Sequence, residues 1–183
     1  VTGAGIGITE ELRELVAVLE CMVDPGNPVK VLSVLVGLFF GLDLERILAH
    51  RLEGGELDAM RPGTRGDPEV RDALATLHRW FLAASRRPAD VFVGELVSEL
   101  GLLPYAAAGE LGSIRAGALL FVLDSVRAAA LGGDASLPGA LDALETALEV
   151  TEAEAPLEPG RADVVRLMNL HQAKGLEAPV VIL

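Results

Sequence analysis

Apolar residues recur at spacings of three and four along the first 150 positions, which predicts a series of α-helices. The turn at 24–28 ends the first of them, for which Thr9 is the predicted N-cap. A nearly all-apolar segment up to Phe40 predicts a buried helix, and 43–52 predicts a short amphipathic one. The stripe of the first helix comprises Leu12, Leu15, Val16, Leu19, Met22 and Val23.

A polar loop rich in glycine and proline, 53–68, separates these helices from four more. The later helices are predicted at 70–81, 91–102, 113–131 and 137–148. The segment 113–131 is apolar almost all round, so we expect it to lie at the centre of the bundle.

The pattern changes after residue 150. An acidic, proline-containing linker is followed by two short β-branched runs, 164–168 and 180–183, which read as buried strands. The predicted fold is therefore mainly α, a helical bundle of six or seven helices with a small α/β remnant at the C-terminus.

Composition excludes several classes of protein. Of the 183 residues, 51% are hydrophobic, and the formal net charge of −12 argues against charge-driven nucleic-acid binding over the whole surface. The longest apolar run, 31–42, is shorter than the ~20 residues of a membrane span, so no membrane partner is expected. The single cysteine, Cys21, predicts a reducing cytoplasm and a buried thiol rather than a reactive one. The missing initiator methionine suggests a piece of a longer chain.

Isolated polar residues in the helices carry little chemistry. His50, His78 and His171 are far apart, so no metal site is predicted. We expect His50 and His78 to be solvated. The acidic pair Glu10 and Glu11 is explained by the dipole of the first helix and by solvation.

One polar cluster stands out, between the two predicted strands. It places His171, Lys174, Gly175 and Glu177 after a strand of an α/β layer, where ligands commonly bind. Glycine allows close backbone approach, and the charged residues suit a nucleotide or phosphate. A capped turn without function explains the same spacing equally well.

The closing stretch "VVRLMNLHQAKGLEAPVVIL" resembles a motif of UvrD/RecB/AddA-type superfamily 1 DNA helicases, which include exonuclease V β-subunits. Weaker resemblance runs through 11–42 and through 96–129, a helical region similar to that of the RecB and AddA branch. The matching motif residues are Leu167, Met168, His171, Ala173, Lys174, Gly175, Leu176, Glu177, Pro179 and Val180.

The resemblance implies an arrangement of domains. Residues 1–9 and 163–183 would flank the insertion as parts of the second RecA-like motor domain. Residues 10–150 would be the helical accessory insertion, and 151–162 a linker. The implied parent is an ATP-dependent 3′–5′ DNA helicase or helicase–nuclease subunit of DNA repair and recombination. Its implied partners are DNA and a possible second subunit.

The same resemblance implies roles for individual residues. Gly175 and Glu177 would bind ATP, with Glu177 toward the ribose, and Mg2+ would accompany ATP in the parent. Asn169 and His171 would lie near the DNA backbone. Lys174 is assigned to a structural ion pair rather than to ligand binding. The chain lacks a phosphate-binding G-x-x-x-x-G-K-[ST] motif, so no catalytic residue and no bound cofactor are expected in it alone.

Two positions depart from the family pattern. Asn169 replaces the usual threonine, and Ala178 replaces an aromatic residue after the glutamate. Both changes leave open an alternative, a helicase-like protein that has lost catalysis and acts as a protein-interaction scaffold.

Overall fold

The structure, a computed structural model, describes residues 9–153, and these form eight helices and no strand. This confirms the mainly α fold, while the predicted C-terminal α/β remnant lies outside the described residues. The helices are α1 Glu10–Val23, α2 Pro28–Val36, α3 Leu44–Leu52, α4 Pro68–Ala84, α5 Ala89–Glu99, α6 Leu102–Ala108, α7 Gly112–Leu131 and α8 Leu137–Ala153.

Helix α1 buries half of its residues and contacts α2, α4 and α8. Burial extends beyond its predicted stripe, because Val18 and Cys21 are fully buried as well. Glu14, also on α1, accepts a hydrogen bond from the Leu38 amide (3.0 Å). This hydrogen bond joins α1 to the turn after α2. A helix enclosed in this way must be apolar on more than one face.

Helix α7 does not occupy the predicted central position. It contacts α5, α6 and α8, but its fully buried residues are confined to one face. Apolar residues on its opposite face are exposed to solvent. The prediction was wrong, because within residues 9–153 no helix covers the second face of α7.

Capping residues explain where two helices begin. Asn27 accepts a hydrogen bond from the Val29 amide at the start of α2, and Asp67 accepts from two amides at the start of α4. In both helices a proline follows the cap, where its missing N–H costs nothing. Thr9 is the N-cap residue of α1 as predicted, although its side chain makes no capping hydrogen bond.

Three predicted boundaries differ from the structure. The segment predicted to be helical to Phe40 ends at Val36 and continues as a turn. The helix predicted at 91–102 ends at Glu99, because Gly101 takes a left-handed conformation (φ 62°) from which the separate helix α6 begins. The first three residues of the predicted linker, 151–153, belong to α8.

Leucine, valine and alanine build most of the core, as the low aromatic content requires. The single tryptophan, Trp80, is buried at the side of Phe40, with ring centroids 5.7 Å apart. Its indole N–H donates to Glu99 (3.3 Å), so the polar atom of this large ring is satisfied.

Candidate functional site

The residues with predicted roles lie outside the part of the chain that the structure describes. Asn169, His171, Lys174, Gly175 and Glu177 all follow Ala153, the last described residue. Their assigned roles therefore stay predictions.

A polar cluster joins the first turn of α1 to α6 and α7. The Glu11 side chain is 0% exposed, and Arg115 of α7 holds it with a two-pronged ion pair. The guanidinium Nε donates to Oε1 at 3.1 Å and Nη2 donates to Oε2 at 2.5 Å. Planar guanidinium and carboxylate groups match each other in this geometry.

The chain around α6 is shaped to hold Arg115. A Cβ at Gly109 would overlap the guanidinium, so the glycine leaves the space that Arg115 fills. The guanidinium also lies over the Tyr105 ring, 5.7 Å from its centroid. The Tyr105 hydroxyl in turn donates to Glu10 (3.2 Å), so both acidic residues of the first turn are engaged.

The cluster is charged at neutral pH. Burial alone would raise the pKa of Glu11, but the hydrogen bonds and charge of Arg115, together with backbone hydrogen bonds, lower that pKa below its ordinary value. No group here is poised to react. The arrangement is a structural clamp that fixes the beginning of α1 against α6 and α7, and we call it the α1–α7 clamp.

The sequence interpretation of Glu11 was wrong, since this carboxylate is buried rather than solvated. Two signals could have found the clamp. Glu11 continues the apolar stripe of α1 backwards, four residues before Leu15, and Arg115 is a lone charge near the start of an apolar helix. Buried charges require partners, so the two belong together.

The predictions for the two histidines of the helical region also fail. His50 is 1% exposed, its Nε2 donates to the Glu56 carbonyl (3.3 Å), and its Nδ1 has no partner. Gly55 and Gly66 close over the ring, where a Cβ would overlap it. His78 is half-buried and donates to the Ala59 carbonyl (2.9 Å). Both side chains therefore hold the loop between α3 and α4.

Cys21 is buried, as predicted. Burial raises the pKa of its thiol to about 12, so the thiolate is scarce at neutral pH.

Within residues 9–153 no group of three or more acidic, histidine or cysteine residues is arranged to hold a metal ion. None of the helices described there is long and apolar enough to cross a membrane alone; α5 and α6 reach that composition only together, across a 53° bend.

Half of the lysine and arginine side chains in residues 9–153, six of twelve, form ion pairs with carboxylates. A basic side chain that is already paired is less available to neutralise a phosphate of DNA. The paired side chains are Lys30, Arg46, Arg79, Arg87, Arg115 and Arg127.

Comparison with known proteins agrees with the resemblance seen in the closing stretch. No protein-family model matches the chain. The AddA protein of the ATP-dependent helicase/nuclease of Thermoanaerobacter pseudethanolicus is 27% identical over 99% of the chain, and that of Exiguobacterium sibiricum is 28% identical over 99%. The protein of the same name from Moorella thermoacetica is 36% identical over 62% of the chain. Over its whole length the chain is therefore similar to AddA-type helicase/nuclease proteins.

The match is long within this chain and short within the relatives. The chain spans about 15% of the length of the Thermoanaerobacter protein and about 16% of the Exiguobacterium protein. In an AddA protein of Clostridium botulinum the alignment covers 100% of the chain at 24% identity, so the closing motif 164–183 lies inside the matched region.

Proposed function

We propose that this chain is the helical insertion of the second motor domain of an AddA-type ATP-dependent helicase/nuclease protein, with short pieces of the motor on either side. The observation that carries the proposal is the end-to-end match with such proteins, which includes the closing motif. The helical bundle of residues 9–153 supports it, because an insertion should fold as a unit between its flanks.

In the parent protein the closing motif serves both ATP and DNA. Gly175 and Glu177 contact the nucleotide, which binds with Mg2+, and Asn169 and His171 lie near the DNA backbone. Hydrolysis drives 3′–5′ movement along single-stranded DNA. The 183 residues contain no phosphate-binding loop, so this chain alone neither hydrolyses ATP nor unwinds DNA.

The assignment of Glu177 is tested in the full-length parent. Glu177→Ala should weaken ATP binding by roughly tenfold, as expected for loss of a hydrogen bond to the ribose. Glu158→Ala, in the predicted linker, is the matched control and should leave nucleotide binding unchanged. Equal affinities for wild type and Glu177→Ala, measured by single-turnover ATPase, would remove the ribose role.

The insertion faces protein rather than gripping DNA. The net charge of −12 and the paired basic side chains support this role, because each neutralised phosphate needs a free lysine or arginine. The 183-residue chain should therefore bind duplex DNA weakly at physiological salt. A submicromolar dissociation constant in a filter-binding or anisotropy measurement would overturn the protein-facing role.

A second candidate function follows from Asn169 and Ala178, which depart from the helicase pattern. A parent that had lost catalysis would act as an assembly scaffold. DNA-stimulated ATPase activity of the parent, together with an intact phosphate-binding loop upstream, would eliminate this candidate.

A further inference from the structure

Helices α7 and α8 enclose a groove that is open within residues 9–153. The two helices are joined by a short connection and pack side by side, and a groove of about 520 Å³ runs between them on the outer surface. Small side chains form most of its floor, namely Ser125, Ala128 and Ala129 of α7 with Gly139, Ala143 and Ala147 of α8.

Exposed apolar side chains continue the groove along α7. Phe121, at one end, is 46% exposed, and Leu131, at the last residue of the helix, is 85% exposed. Phe121, Ala128 and Leu131 lie on one side of α7, and the charged Asp124 lies between the first two of them. Large apolar side chains that are exposed beside a groove favour an interaction site over a solvated face.

The shape of the groove suits a helix. Small residues on both walls let a third backbone approach closely, near the lower end of the usual 8–10 Å between helix axes. Phe121 then packs against the apolar side of the incoming helix, and the exposed leucine covers its end. This arrangement would bury the apolar side chains of α7 that no other part of residues 9–153 covers.

The rim of the groove is acidic. Asp134 and Asp142 line it, and Glu145 and Glu149 are exposed on the same helix as Asp142. From Gly117 to Glu149 the sequence has one basic residue, Arg127, which is paired with Asp124 at 2.8 Å. An occupant must therefore supply positive charge on both sides of its apolar face.

We propose that the α7–α8 groove docks a basic amphipathic helix of a separate polypeptide, with lysine or arginine flanking an apolar stripe. The inference rests on the proposed protein-facing role of the insertion. A second copy of this chain is disfavoured as occupant by its net charge of −12. The segment that follows α8 is disfavoured as well, because 154–163 carries three acidic residues and one basic residue.

The test uses the 183-residue chain and two synthetic helical peptides with the same leucine–alanine stripe. One peptide carries lysine beside the stripe and the other carries glutamate. Fluorescence anisotropy should show the lysine peptide binding at least roughly tenfold more tightly, because its charges oppose the acidic rim.

Two matched variants locate the binding. Ala128→Arg places bulk and positive charge on the groove, and should raise the dissociation constant of the lysine peptide by roughly tenfold or more. Ala75→Arg makes the same change at an exposed position of α4, away from the groove, and should leave it within about twofold. Both positions are exposed in the folded chain, so both variants should fold, which circular dichroism verifies.

Each outcome decides the proposal. Equal affinity for the two peptides, or equal weakening by both variants, would overturn it, because binding would then be unselective or elsewhere. Self-association that Ala128→Arg abolishes would identify a second copy as occupant and overturn it too. Duplex DNA is included as a competitor, so that docking in the groove and the protein-facing role of the insertion are tested separately. Tight DNA binding that Ala128→Arg leaves intact contradicts the protein-facing role, while the peptide result stands by itself.

Discussion

Removing the cation of the α1–α7 clamp should destabilise the chain strongly. Arg115→Met keeps an apolar stem of similar length but leaves the fully buried Glu11 carboxylate without its partner. Breaking a buried ion pair in this way costs about 3–5 kcal/mol. Since Arg115 is 20% exposed and water can reach the site, we expect the lower end, about 3 kcal/mol.

A double-mutant cycle isolates the pair from the packing of each side chain. In Glu11→Leu/Arg115→Met both charges are gone, so the loss should be smaller than the sum of the single losses by about 2 kcal/mol. Arg127→Met is the control, because its pair with Asp124 is exposed and worth at most about 0.5 kcal/mol. Urea unfolding followed by the fluorescence of the single tryptophan, Trp80, measures all of these free energies.

The pH dependence of the free energy of unfolding tests the contribution of the Glu11 carboxylate independently. Because the pKa of Glu11 is lowered on folding from its ordinary 4.5, its contribution to stability is fully present above that pH. It is lost as the pH falls below 4.5 and through the folded-state pKa. Glu11→Gln should therefore show a shallower loss of stability in this acidic range than the wild type.

Two results would refute the reasoning. If Arg115→Met cost no more than Arg127→Met, the clamp would contribute nothing beyond an exposed pair. If the single losses simply added in the double variant, the two side chains would act independently despite their contact.

Three further predictions concern stability and reactivity. Asp67→Ala removes the side-chain cap of α4 and should lower the free energy of unfolding by about 1 kcal/mol. Asp43→Ala changes an N-cap that has no side-chain hydrogen bond and should lower it less, and urea unfolding measures both losses. Gly66→Ala should cost at least about 2 kcal/mol, because the new Cβ would overlap the buried His50 ring at a backbone φ of +86°; a midpoint equal to wild type would contradict this packing. Cys21 should resist a thiol reagent in the native chain and react fully in denaturant, and rapid native labelling would contradict its burial.

Short-range patterns account for the features that were predicted correctly. Most of the stripe of α1, the N-cap position Thr9, and the loop between α3 and α4 all depend on residues within a few positions of one another. Helix α6 escaped prediction because its separation from α5 depends on the left-handed turn at Gly101, whereas the sequence pattern stays apolar through it.

The position of the buried charges could not be predicted in the same way. Glu11 and Arg115 are 104 residues apart, and only the packing of α1 near α6 and α7 brings them together. His50 is similar, because its burial depends on glycines of the following loop that close over the ring. From local sequence alone, a charged residue or a histidine is predicted to be solvated, because the residues that cover it lie elsewhere in the chain.

The sequence by itself determined that residues 9–153 are mainly helical and that Thr9 begins the first helix, because periodicity and caps are local properties. It also gave the resemblance of the closing stretch to a helicase motif, since motif spacing is local as well. The tertiary structure alone decided which apolar faces find partners. Within residues 9–153 it buried most of the apolar stripe of α1 and left an open, acid-rimmed groove beside α7, although α7 is the more uniformly apolar of the two helices. Burial depends on what packs against a face, and that is a property of the whole arrangement of helices rather than of any one segment.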